Sequence, residues 1–88
     1  MKFMKFNKKS INKVVRTIDR LYEYDEAVIE SHRFFGYNLE GRTHVVFEPL
    51  GTTGYYWFSY WKNNKNFHKV VRTYQDLNEI HRLVKVLF

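Results

Sequence analysis

All four glycines (Gly36, Gly41, Gly51, Gly54) and the only proline (Pro49) of this 88-residue chain fall between positions 36 and 54. Free backbone rotation and a missing N–H argue against a helix running through that stretch, so the chain is divided into a glycine-free N-terminal third, a turn-rich middle and a C-terminal part. In the first part the apolar residues Ile11, Val14, Val15, Ile18, Leu21 and Tyr22 recur at the i, i+3, i+4, i+7 spacing of an amphipathic helix. From Thr43 the period changes. THVVFEPL, YYWFSYWK and FHKVVRT are β-rich runs separated by the turn signals GTTG and NNKN, which predicts an antiparallel meander, with FFGYNL as a weaker fourth strand. The end, TYQDLNEIHRLVKVLF, returns to helical spacing at Leu77, Ile80, Val84 and Leu87 behind a Thr73/Asp76 capping pair. The expected fold is α+β: one N-terminal helix or two, a three- to four-stranded antiparallel meander, and a C-terminal helix.

Two segments stay ambiguous at this level. YEYDEAVIESHRFFG either continues the first helix or starts a second, with Gly36 as a left-handed terminator and Ser10 as the N-cap of the first. Phe67 to Thr73 reads as a strand, but Phe67, Val70, Val71 and Tyr74 also fit a helical period.

Length allows a single domain spanning 1–88. With 44% hydrophobic and 19% aromatic residues that domain has the material for a core. The absence of Cys excludes disulfides, a thiolate nucleophile and Cys-based zinc sites. MKFMKFNKKS has the charge of a signal-peptide start without the apolar stretch that follows one, and the expected location is cytoplasmic, with no membrane association. The net charge of +6 is unevenly placed: residues 1–20 carry seven Lys/Arg against one Asp, residues 21–48 two against six acids, and residues 49–88 six against two. Part of the surface should therefore attract anionic partners.

The string KVVRT occurs twice, at Lys13–Thr17 and Lys69–Thr73. Similarity beyond the string is confined to Leu21/Leu77 and Glu23/Glu79, too little for a repeat architecture. The flanks predict that the first copy lies within a helix and the second ends a strand, where Thr73 caps the next helix.

Two groups of residues are candidates for contact. Lys9, Lys13, Arg16 and Arg20 are spaced by 4, 3 and 4, one narrow stripe of the first helix. Like charges so placed cost an isolated helix about 0.2–0.5 kcal/mol per pair, so the stripe is either a solvated face or a surface that tracks phosphates. In YYWFSYWKNNKN, alternation puts Tyr55, Trp57, Ser59 and Trp61 on one face and Tyr56, Phe58, Tyr60 and Lys62 on the other. One face must be core. If the other is open, its rings, together with Lys62 and Lys65, offer a platform for unstacked bases or a protein-binding patch.

No catalytic motif is present: His32, His44, His68 and His81 are scattered, and HExxH, GxSxG, Walker-type and Rossmann-type patterns are absent. No metal, cofactor or small-molecule substrate is expected. The meander-then-helix layout is similar to that of AP2-type and integrase arm-type DNA-binding domains, and a basic chain with helix before strands also resembles RelE-like toxin ribonucleases, although no motif carries either likeness. The sequence thus points to a small non-enzymatic basic module, monomeric or a small homo-oligomer, that contacts nucleic acid or a nucleic-acid-handling protein. The alternatives are a phage- or mobile-element-type inhibitor of a host nuclease or polymerase, such as an anti-CRISPR-like anti-defence protein, and a RelE-like ribonuclease using residues such as His68, Arg72, Tyr74 and His81.

Overall fold

A computed structural model of the chain describes residues 5–40 and 43–87, so Gly41 and the first four residues of the basic start lie outside the described residues. Helix α1 (Lys8–Leu21) leads into five strands, β1 (Glu26–Glu30), β2 (Arg33–Tyr37), β3 (Thr43–Pro49), β4 (Tyr56–Lys62) and β5 (Lys65–Val71), and helix α2 (Tyr74–Leu87) follows. The strands form one antiparallel sheet in the order β1-β2-β3-β4-β5. The α+β layout is as expected, but the meander has five strands rather than three or four.

The extra strand comes from the acidic segment, which is neither a continuation of α1 nor a second helix. Val28 and Ile29 are β-branched and stand next to each other rather than at helical spacing, and a two-residue turn at Ser31 and His32 returns the chain so that Glu30 lies opposite Arg33. Gly36 is correspondingly not a helix terminator. It sits within β2, where a Cβ would meet Phe34 Cε1 at 2.8 Å and Tyr22 Cε2 at 3.0 Å, so the missing side chain makes room for two rings. The helix also starts earlier than expected: Asn7, not Ser10, is the N-cap, and its Oδ1 accepts the Ser10 N–H at 2.8 Å.

At the other ambiguous segment the strand reading holds. Lys65–Val71 is β5, joined to β4 by a two-residue turn whose Asn63 has φ 46°, a conformation that asparagine tolerates. The cap of α2 is reciprocal: Asp76 N–H donates to Thr73 Oγ1 at 3.1 Å, and Asp76 Oδ2 accepts from the N–H groups of Thr73 at 3.2 Å and Arg72 at 3.0 Å. These bonds hold the Asp76 carboxyl below its ordinary pKa, the Arg72 N–H contributing most.

Both helices pack on the same side of the sheet. The register sets Phe34, Phe47 and Phe58 side by side across β2, β3 and β4, all fully buried, beneath Ile11, Val14, Val15 and Ile18 of α1 and Leu77, Ile80 and Val84 of α2. Burial of such side chains contributes roughly 1.5–3 kcal/mol each. The buried tyrosines reach partners: Tyr56 donates to the His32 carbonyl at 2.8 Å and Tyr22 to the Thr43 carbonyl at 3.1 Å. Burial pushes both phenols up to about 12.

Candidate anion-binding groove and open aromatic face

The first copy of KVVRT lies in α1, and its five residues divide as the helical period requires. Val14, Val15 and Thr17 face inward, while Lys13 and Arg16 are exposed in line with Lys9 and Arg20. Thr17 is the buried polar residue at the border of the two sides. Its hydroxyl donates to the Lys13 carbonyl at 2.9 Å and lies 3.0 Å from His81 Nε2 of α2, so with its hydrogen engaged it accepts from the imidazole N–H. This contact joins the two helices beside the basic stripe and brings Lys85, one turn beyond His81, to the same place.

The result is an open groove of about 460 Å³ lined by Lys9, Asn12, Lys13, Arg16, Thr17, Arg20, His81 and Lys85. Five of the eight are permanent cations and none is an acid. Among the described residues, no ion pair engages any of the five. The imidazole registers the field: the pKa of His81 is lowered, first by burial and then by Lys85, Lys13 and Arg20.

That shift fixes a pH dependence. Because the unfolded chain binds the His81 proton more tightly than the folded one, the contribution of His81 to stability is complete above about pH 6.5 and is lost as pH falls below it. The melting temperature should accordingly decline between pH 7 and 5, and His81→Gln should flatten that part of the profile. An unchanged profile in the variant would remove His81 from the account. An anion in the groove would oppose the charge part of this lowering, since it favours the protonated imidazole, while the larger part due to burial would stay.

The second copy of KVVRT makes no comparable stripe. Lys69 lies on the helix side of β5, 3.4 Å from Asp76 and 3.3 Å from Glu79, while Val71 is core and Thr73 caps α2. The two exposed cations of the first copy thus correspond to one cation neutralised by acids and another, Arg72, whose guanidinium lies 5.8 Å from the Tyr55 ring.

No helix of the described residues covers the other sheet face, although Val46 in its middle is buried by its neighbours. As alternation predicts, Trp57, Ser59 and Trp61 lie on it, and Tyr56, Phe58 and Tyr60 are buried on the other side. Trp57 and Trp61 are half-buried by their neighbours: His68 at 5.5 Å ring to ring for the first, His44 stacked at 5.8 Å for the second. Phe35 and Val28 continue the face and are 42% and 45% exposed. Tyr55 stands just before β4 between Lys5 and Arg72, at 4.9 and 5.8 Å. Lys62 and Lys65 are paired across the β4–β5 turn on the helix side of the register, so they do not join the tryptophans. The acids on the open face are Glu26, Glu30 and Glu48, against the single Arg33 within the strands.

The candidate catalytic side chains have separate partners. His68 packs on Trp57, Arg72 on Tyr55, the Tyr74 hydroxyl oxygen accepts the Asn7 N–H at 2.7 Å, and His81 faces Thr17. No helix of the described residues is long and apolar enough to cross a membrane. The chain matches no protein-family model, and no curated protein or solved structure shows significant similarity to it.

Proposed function

We propose that the chain is a non-enzymatic nucleic-acid-binding module that holds the phosphate backbone in the groove between α1 and α2. The observation that carries this reading is the set Lys9, Lys13, Arg16, Arg20 and Lys85 gathered around one groove without a carboxylate. From Lys9 to Arg20 the four cations of α1 span eleven helical steps, about 16.5 Å along the axis at 1.5 Å per residue. One strand of a duplex presents a phosphate every ~3.4 Å of axis, so the stripe is long enough for several. Contacts of this kind position nucleic acid without reading its sequence.

Mixed-sequence oligonucleotides, followed by fluorescence anisotropy, should bind with an affinity that falls linearly on a log–log plot against salt. Each phosphate neutralised contributes about −0.9 to the slope on duplex DNA and about −0.7 on single strands, so engagement of all five cations would give about −4.5 or −3.5. An affinity independent of salt would reject the proposal.

A second reading is supported by the open face. Partly exposed tryptophans on the same sheet face as the exposed Phe35 and Val28 are the composition of a protein-binding hot spot, which favours an inhibitor of the kind that phages and mobile elements direct at host nucleases or polymerases.

A further inference from the structure

The sheet has two edges, and they differ in chemistry. At β5, Lys69 is tied to Asp76 and Glu79, Lys65 adds a second charge, and Phe67 and Val71 pack against the core. Charge, lysine above all, is a common protection of an edge against pairing with another chain. At β1 the middle of the strand is apolar on both faces and stays uncovered: Val28 is 45% exposed on the open face and Ile29 40% exposed on the helix side. Among the described residues β1 pairs only with β2, so the N–H and C=O groups of the alternate residues that point away from β2 are available.

The ends of β1 restrict what can pair there. Glu26 and Glu30 both stand on the open face with Val28 between them. Each is held in position: Glu26 accepts the hydroxyl of Tyr37, and Glu30 lies 3.1 Å from Arg33 Nε and 3.5 Å from His32 Nε2. A second copy of this chain, paired antiparallel over all five residues, would set Glu26 opposite Glu30 twice, and a parallel pair would set each glutamate beside its own counterpart. Like charges directly opposite destabilise a ladder, and opposite charges stabilise it.

We infer that the β1 edge is a β-augmentation site for an extended segment of a partner protein that carries Lys or Arg opposite Glu26 and Glu30 and an apolar residue opposite Val28. Main-chain hydrogen bonds supply the attraction common to any strand, and the alternate side chains supply the choice. On the helix side the same segment covers Ile29 with its intervening residues. The site is on the sheet, away from the α1–α2 groove, and stands or falls independently of phosphate binding.

The test is an NMR titration of the 15N-labelled chain with the capped peptide Ser-Lys-Val-Val-Val-Lys-Ser. Shifts concentrated at residues 26–30, with slowed amide exchange there, are expected. Glu26→Lys/Glu30→Lys should weaken this peptide by about tenfold or more and admit the counterpart with Glu in place of Lys, because two attractive cross-strand pairs become repulsive and the reverse. Should the double variant lose its fold, Glu26→Lys alone is read against the same two peptides. The inference is overturned if a backbone N-methylated version of the Lys peptide binds equally well, if the shifts fall on the Trp57 and Trp61 indoles or in the groove, if neither peptide binds, or if β1 signals move on dilution of the protein alone, which would identify a second copy as the occupant.

Discussion

Lys13→Glu/Arg16→Glu should abolish oligonucleotide binding, lowering affinity by at least about 100-fold at moderate salt, while the protein stays folded and becomes slightly more stable. The two effects have opposite signs for one reason. Lys13 lies four residues from Lys9 and Arg16 four from Arg20, and three separate Lys13 from Arg16, so the wild-type helix carries like charges at each of these spacings. With glutamates in the middle, the outer two pairs become attractive, each worth about 0.2–0.5 kcal/mol to an exposed helix, and Lys13 no longer adds to the field that depresses His81. The phosphate backbone experiences the reverse, losing two cations at the centre of the stripe and meeting two anions. Lys13→Ala/Arg16→Ala is the milder companion: it should reduce the salt slope by about 2 and weaken all sequences alike. Anisotropy gives the affinities and thermal melts give the stability. A double reversal that still binds would show that the groove is only a solvated surface.

How much of this was readable in advance depended on whether the determining contact was local. The α1 stripe was legible because burial of Ile11, Val14, Val15 and Ile18 forces the cations between them to the outside, whatever packs beneath. The inequivalent faces of β4 were legible from parity alone. Parity also places Lys62 on the face opposite Trp57 and Trp61, although the three are close in sequence. The weaker strand expected at FFGYNL is β2, but β1 was not legible, because its glutamates and the glycine that follows suit a helix, and the fit of the Tyr22 and Phe34 rings over Gly36 is a contact only the fold reveals. Nor did the sequence disclose that His81 and Lys85 complete the groove. Thr17 and His81 are 64 positions apart, and only the packing of both helices on the same side of the sheet brings them within 3.0 Å.

The one-sided arrangement makes adjacent aromatics of β4 a direct contrast. Phe58 is fully buried in the row with Phe34 and Phe47, and its ring lies 6.0 Å from that of Phe67. Phe58→Ala should cost about 3–5 kcal/mol, since it loses the transfer energy of the ring and leaves a cavity that neighbours in a rigid sheet cannot fill. Against the total of about 4–13 kcal/mol that 88 residues usually provide, such a loss leaves the domain marginal or unfolded at 37 °C. Trp57→Ala removes a larger side chain from the next position, yet should cost less, about 1–2 kcal/mol, because Trp57 is only half-buried, between its cross-strand neighbours and His68. Urea denaturation separates the two outcomes as a large and a small displacement of the midpoint with little change in slope. Equal losses would mean that the outer face is packed as tightly as the inner one, and a covered face would leave Trp57 and Trp61 nothing to bind. Loss of stability at Phe58 alone leaves the tryptophans without a structural reason to be where they are, and contact with a partner becomes the explanation for two large rings on the side of the sheet that no helix covers.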